Sequence, residues 1–436
     1  EMCIRDRSNL GLHILYQVLN QKGWACERFF LPDLRRRAEY ANTKTPLFSM
    51  ENQRPLADFP YICVSLSFEM DYVNFLTALS MGHIKLLAAE RGEQDPFVIL
   101  GGPCASFNPG PLAAFADLVI IGEGEEILPR LLEELERLRL EKKNRKEMLL
   151  AVAQLPGVYV PQFYEAQYNE DGAFSGLALL EKVPAQIQRQ WVREIDDFPH
   201  TSAIISPYTE FANMFLVEVA RGCGRHCRFC MAGYCFRRPR NRDLEGLLQD
   251  IRQRPAETAK VGLMGAAVSD HPEIRALTGT LMEEEVPFSC ASLRADSLDL
   301  PLVQALANSG QRTMTVAPEA GSPKMRAAIN KGITEEHIYQ AMEYAAQAGM
   351  PHVKLYFMVG LPGKTEEDVE EIIRLVCRVL ARMEELGHKG ELTLSVNAFV
   401  PKPFTPYQWS PLEEVKELKQ RFKQLQNGLK KERRIR

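Results

Sequence analysis

The sequence predicts an α/β protein in two parts: a doubly wound, Rossmann-like N-terminal domain, then a partial (β/α)6 barrel. Three observations predict it. Short apolar, β-rich runs alternate with helical ones up to about Leu140, the pattern of a parallel sheet covered by helices. After an irregular stretch the alternation returns at Phe215, with six strand runs and longer helices between them. Glycine-rich turns follow several strand runs, at the carboxyl ends where such sheets and barrels hold ligands.

A chain of 436 residues has room for two or three domains, and 45% hydrophobic with 25% charged residues is the balance of an ordinary globular protein. No apolar run reaches transmembrane length and no secretory signal opens the chain, so no membrane role is expected. A net charge of −4 argues against wholesale coating of nucleic acid. Outside one cluster the cysteines (Cys3, Cys26, Cys63, Cys104, Cys235, Cys290, Cys377) stand singly, which suits a reducing cytoplasm and no disulfide framework.

In order, Glu1 to Arg7 fits no element and reads as a scar; a helix from about Leu10 to Lys22 follows, capped by Ser8 or Asn9. No strand precedes that helix, so the expectation is a fragment truncated at the N-terminus, perhaps also at the C-terminus, with a vacant strand position beside Tyr61–Ser67. Strands are predicted at Tyr61–Ser67, Pro96–Leu100 and Leu118–Ile121, with helices at Asp71–Met81 and Ile127–Leu140. The candidate binding turns are Ser65–Glu69, Gly101–Cys104 and Gly122–Glu125. The last, G-E-G-E-E, lacks the G-x-G-x-x-G spacing, and its carboxylates would repel phosphate. Lys142–Lys146 (KKNRK) reads as a solvated hinge. Tyr159–Leu180 reads as an antiparallel excursion turning at Asp171-Gly172, and Pro184–Glu210 as connecting chain. Barrel strands are predicted at Phe215–Ala220, Lys260–Met264, Phe288–Ser292, Arg312–Ala317, Val353–Val359 and Leu392–Phe399. Thr365 and Asp368 make a capping-box-like helix start. Leu412–Arg436 reads as a helix ending in a solvated basic run. The domains are thus 8–140, a linker 141–212, the barrel 213–400 and a tail 401–436.

The chemistry concentrates in Arg221–Ala232, R-G-C-G-R-H-C-R-F-C-M-A. Cys223, Cys227 and Cys230 form a C-x3-C-x2-C pattern on one tight loop. Three thiolates without a fourth suit an iron–sulfur cluster that leaves one iron open. A zinc site completed by His226 or Cys235, or simple buried thiols, are the alternative readings. Cys235 is read as structural. The spacing, Phe229 and the strand FLVEVA before the loop resemble the signature of radical S-adenosylmethionine (radical SAM) enzymes. That resemblance implies a 4Fe–4S cluster whose open iron chelates SAM, reductive cleavage to a 5′-deoxyadenosyl radical, and an electron donor such as flavodoxin or ferredoxin.

The strand ends fill out the resemblance: S-L-R-A-D, T-V-A-P-E-A-G-S, I-N-K-G-I-T and K-L-Y-F-M-V-G-L-P-G are similar to the largely uncharacterised radical SAM proteins with a cobalamin-binding-type domain. By that likeness Gly265 and Ala266 stand where the family holds the SAM amino group on a G-G-E-like turn, here through backbone alone. Ser292 and Arg294 face the mouth, Arg294 toward the SAM carboxylate. Glu319 would accept from ribose hydroxyls, and Val359 and Gly360 approach the adenine. For Glu319 and Arg294 the alternative is a rim salt bridge. SLSFEMDY, ILGGPCASFNP and IIGEGEE resemble the cobalamin-binding-type domain itself. The D-x-H-x-x-G motif is absent, so a cobalamin-free relative is favoured over cobalamin bound without a protein histidine. Arg221, Arg225, Arg228, Arg237, Arg238, Arg240 and Arg242 crowd the cluster loop, either to serve cluster, SAM or an anionic substrate such as RNA, or paired with acidic neighbours. The substrate (small molecule, RNA or protein) is expected between barrel and N-terminal domain, with methyl or methylthio transfer to RNA or protein one outcome and rearrangement or coupling of a small metabolite another. A zinc-stabilised RNA-binding module is the reading from another class.

Overall fold

The computed structural model describes residues 9–236, 238–291 and 293–436. The expectations for Glu1 to Arg7, Ser8, Arg237 and Ser292 lie outside the described residues. The chain divides into two compact units between Ala212 and Asn213.

In the first unit, β1 (Tyr61–Ser65), β2 (Phe97–Gly101), β3 (Leu118–Ile120) and β4 (Val158–Tyr159) form one sheet in that order. β1 to β3 are parallel, and β4 is antiparallel to β3. The two-residue period of β2 divides its side chains between two cores. Phe97 and Ile99 join Leu19, Leu131 and Leu135, from helices Leu10–Gln21 and Gly124–Leu140. Val98 and Leu100 join Ile62, Phe75 and Leu79, the last two from helix Asp71–Met81. Helices therefore cover both faces, as a parallel sheet requires. Asn9 is the N-cap of the first helix, its Oδ1 accepting from Leu12 N at 3.0 Å. The excursion after β4 is the hairpin of β5 (Tyr164–Tyr168) and β6 (Phe174–Leu179).

Two expectations for this unit are corrected. KKNRK is solvated at Lys142, Lys143, Asn144 and Lys146 but not at Arg145, and Asn144 caps helix Arg145–Val152 in a capping box with Glu147. Arg145 is buried, its guanidinium 2.9 Å from Asp117 and donating to Asp95 O at 2.8 Å. Asp117 also accepts from Arg91 Nη1 at 2.7 Å and Val98 N at 2.8 Å. A guanidinium can be buried where a carboxylate and carbonyls take its donors. The turn Gly122–Glu125 is not open to a ligand. Gln190 bridges to Gly122 in parallel, Glu123 N donates to Gln190 O, and the buried Glu123 carboxylate accepts from Val192 N at 2.9 Å. The Glu123 carboxylate of G-E-G-E-E thus ties down the connecting chain.

In the second unit, β7 (Met214–Glu218), β8 (Ala220–Arg221) and β9 (Arg240–Asn241) open the barrel. β10 (Lys260–Met264), β11 (Phe288–Cys290), β12 (Thr313–Glu319), β13 (His352–Val359) and β14 (Leu392–Ala398) complete it. β7, β10 and β11 form one parallel sheet and β12, β13 and β14 another. Among the described residues one parallel bridge, Leu293 to Val316, joins them, so the six strands follow chain order around a partial barrel. Alternate residues of β13 (Val353, Leu355, Phe357, Val359) are buried.

Two further corrections fall here. The helix after β13 runs Glu367–Glu385 from an N-cap at Glu366, so Thr365 is not its cap; instead Thr365 N donates to Asp368 Oδ2 at 2.5 Å. The basic tail is solvated at Lys430, Lys431, Arg433 and Arg436, but Arg434 and the last backbone are held against the barrel. After helix Val415–Leu429, Arg434 O and Arg436 O accept from Leu392 N and Leu394 N of β14, and Arg434 donates to His388 O and Gly390 O. Carbonyls take up the charge that composition alone would leave in water.

Candidate active site

The cluster loop leaves the carboxyl end of β7 and is pinched at its base. β8 pairs antiparallel with β9, bringing Arg221 opposite Arg240 and closing the chain between them into a narrow loop. Two glycines make the loop's path feasible. Gly222 has φ +89°, and a Cβ there would lie 2.3 Å from Phe236 O. A Cβ on Gly233 would lie 2.1 Å from Arg225 O. Cys227 is buried, and Cys223 and Cys230 are partly exposed. Arg225 N donates to Cys223 Sγ at 3.4 Å. Burial pushes the Cys230 thiol above its usual range, so metal binding there would release a proton. Soft sulfur donors on a backbone folded close around them fit an iron–sulfur cluster. Among the described residues, no three His, Cys, Asp or Glu side chains are gathered closely enough to hold a single metal ion.

A chain of ionic contacts runs from this loop along the strand ends. Arg225 grips Asp270 with two bonds of 2.9 Å and reaches Asp296 at 3.1 Å. Asp296 also takes Arg294 Nε at 2.9 Å and Nη2 at 3.0 Å. Arg294 Nη2 donates to Lys331 O at 2.8 Å, and its Nη1 lies 3.9 Å from Cys227 Sγ. Burial works against the Asp296 charge, but Arg294 and Arg225 outweigh it and hold its carboxyl below the usual range. Lys331 Nζ donates to Glu319 Oε1 at 3.1 Å and stands 5.9 Å from the Phe229 ring centroid. Burial raises the Glu319 carboxyl, with Lys331 pulling the other way. Glu319 has φ +68°, at a register shift in β12, a conformation that non-glycine residues adopt at a cost.

The loop is thus tied to the ends of β11 and β12. Arg228 N donates to Ile329 O, and Phe229 packs with Ala320, Met325, Leu361 and Phe399. Gly265 and Ala266 are exposed after β10, leaving their backbone groups accessible. Val359 and Gly360 line a cavity with Ala320, Gly321 and Leu361. Arg294 and Glu319 are both engaged in rim ion pairs, the arrangement named above as the alternative to SAM contact. Several of the crowded arginines are likewise paired. Glu218 at the end of β7 takes two bonds of 2.9 Å from Arg221 and one of 2.7 Å from the buried Arg242. Arg228 donates to Ala328 O at 2.7 Å. Sequence singles out Asp296 with the polar side chains of S-L-R-A-D at the mouth, but not Glu218, Asp270 or Lys331. Lys331 carried a signal, as the one charge in I-N-K-G-I-T, but its partner lies twelve residues upstream, beyond the helix Pro323–Ala328.

Two family models match: one described as radical SAM proteins, N-terminal, over residues 11–161, and one described as the radical SAM superfamily, over residues 217–376. An uncharacterized protein of Methanocaldococcus jannaschii is 30% identical over 402 residues, covering 91% of this chain and 78% of that protein. A tRNA-2-methylthio-N(6)-dimethylallyladenosine synthase of Carboxydothermus hydrogenoformans is 29% identical over 228 residues, 49% of this chain and 50% of the synthase. An uncharacterized methyltransferase of Pyrococcus horikoshii is 25% identical over 301 residues, 66% of this chain and 59% of that protein. The cobalamin-dependent S-adenosylmethionine radical enzyme OxsB, with aqua-cobalamin and S-adenosylmethionine bound, superposes with a TM-score of 0.58 at 16% identity. That match covers 96% of this chain and 59% of OxsB, and it is a likeness of fold. The chain therefore spans from 50% to 78% of the lengths of these proteins.

Proposed function

The chain belongs to the radical SAM superfamily of enzymes, which use a 4Fe–4S cluster and S-adenosylmethionine, and from that premise we propose that Cys223, Cys227 and Cys230 are its cluster ligands. The observation that carries this reading is the three-cysteine loop pinched at the carboxyl end of the first barrel strand. When bound, the cluster and SAM supply reductive cleavage to a 5′-deoxyadenosyl radical, while the protein supplies orientation and a dry site. SAM is proposed to lie along Gly265, Ala266, Ser292, Arg294, Glu319, Val359 and Gly360. Gly265 and Ala266 offer backbone carbonyls to its amino group, and Glu319, buried beside Lys331, offers a carboxylate to its ribose.

Methyl or methylthio transfer is the proposed reaction class, supported by the names of two relatives. The substrate class stays open among small molecule, RNA and protein. The reductant is proposed to be a flavodoxin or ferredoxin and the compartment the cytoplasm, where a cluster and single thiols are kept reduced. Among the described residues no helix is long and apolar enough to cross a membrane. Cobalamin enters the proposal only as a cofactor that the first unit would hold without a D-x-H-x-x-G histidine. The visible spectrum after hydroxocobalamin addition and desalting decides whether it is retained. The finer division at residues 140/141 and 400/401 is likewise a proposal, to be tested by limited proteolysis.

Anaerobically reconstituted protein given dithionite and SAM is expected to release 5′-deoxyadenosine. A protein with full iron and sulfide content that releases none would sink the reading. Glu319→Ala is expected to weaken SAM binding about tenfold or more while cluster content stays unchanged, as fits the loss of a roughly 1.5–3 kcal/mol charge-assisted hydrogen bond. Arg294→Ala is expected to weaken it too. Unchanged SAM affinity in both variants would return these side chains to rim ion pairing alone.

A further inference from the structure

We propose that Arg294 raises the reduction potential of the iron–sulfur cluster by donating an N–H···S hydrogen bond to Cys227, an inference that rests on Cys227 being a cluster ligand. A guanidinium is planar, so two bonds along one edge fix the whole group. Here Asp296 takes Nε at 2.9 Å and Nη2 at 3.0 Å, and Lys331 O takes Nη2 at 2.8 Å. With that edge fixed, Nη1 stands 3.9 Å from Cys227 Sγ. Asp296 is itself held by Arg225, a residue of the cluster loop, and Arg225 by Asp270. The loop and the arginine are thus clamped through one shared carboxylate, which keeps donor and sulfur in register.

Cys227 is 6% exposed and the Arg294 side chain 13%, so little water screens the contact. Reduction adds an electron to the cluster. A fixed cation and an N–H donor at a ligand sulfur stabilise the reduced form more than the oxidised one, which is how hydrogen bonds to sulfur and net charge tune such potentials. Arg294 is a positioning residue in this role.

The test is a spectroscopic redox titration of reconstituted protein without SAM, so that any lost SAM contact does not enter. Arg294→Gln is expected to keep wild-type iron and sulfide content and to shift the midpoint to lower potential. Arg294→Lys, which keeps the charge but loses the planar fork, is expected to fall between the two. If both variants hold a full cluster and titrate with the wild-type midpoint, the proposal is overturned. Should Arg294→Gln fail to fold, the Arg294→Lys midpoint decides alone: a downward shift supports the proposal and a wild-type value overturns it. Cys227→Ala separates this from the ligand reading. A cluster lost there, with unchanged Arg294 midpoints, sinks only the tuning role; a cluster retained there sinks the ligand assignment.

Discussion

Cys227→Ala protein is expected to carry no iron–sulfur cluster after anaerobic reconstitution, and Cys223→Ala and Cys230→Ala are expected to behave the same way. Each loses one of three thiolates on a loop pinched between β8 and β9. The His226 carbonyl accepts from Tyr234 and Asn330, and its ring lies 6.1 Å from that of Tyr234. Cys235 is buried in the short helix Ala232–Cys235, so Cys235→Ala is expected to assemble a full cluster. Iron, sulfide and the visible absorption band are the measurements. Wild-type iron in any one of the three loop variants would remove that residue from the ligand set. SAM cleavage should disappear together with the cluster.

Asp117→Ala is expected to destabilise the first unit by about 3–5 kcal/mol, the usual cost of leaving buried cations without their carboxylate. Asp117 stands between Arg91 and Arg145, and it also takes Val98 N of β2. Both guanidinium groups are buried and would remain so after the substitution. Chemical denaturation followed in the transition of this unit gives the number. A loss under about 1 kcal/mol would mean that water or backbone carbonyls replace the carboxylate far better than expected. Replacement of all three charged groups by apolar side chains would cost less than the single change, because no orphaned charge remains.

Strand positions were the most legible part of this fold. Lys260–Met264 and helix Asp71–Met81 agree residue for residue with the structure, because apolar runs and helical period carry burial directly. Helix Leu34–Thr43 was illegible for the opposite reason: it buries no residue, so no periodic signal marks it. Arg145 was misread because composition cannot tell a guanidinium in water from one held by Asp117 and Asp95 O. That the cysteine loop follows the first barrel strand was legible, since the apolar run before it reads as a strand. The rim was legible only in part. Arg294 and Glu319 could be placed at strand ends, but their partners Asp296 and Lys331 come from the turns that follow, where no period predicts a meeting.

The bridge between Leu293 and Val316 divides the barrel wall into two half-shells of three strands each. Within a half-shell each neighbouring pair shares several backbone bonds; across the divide, among the described residues, Leu293 N to Thr315 O at 3.2 Å stands in their place. Few shared bonds mean a low free energy of local opening, so the Leu293 amide is expected to exchange with deuterium well before that of Leu263 in β10. Arg294 is anchored on one half-shell and Glu319 on the other, with Lys331 spanning them through its carbonyl and its ammonium. A breathing motion along this line would change the aperture between those two side chains without unfolding either half. Among the described residues this thinly bonded seam thus runs between the two side chains proposed above to contact SAM.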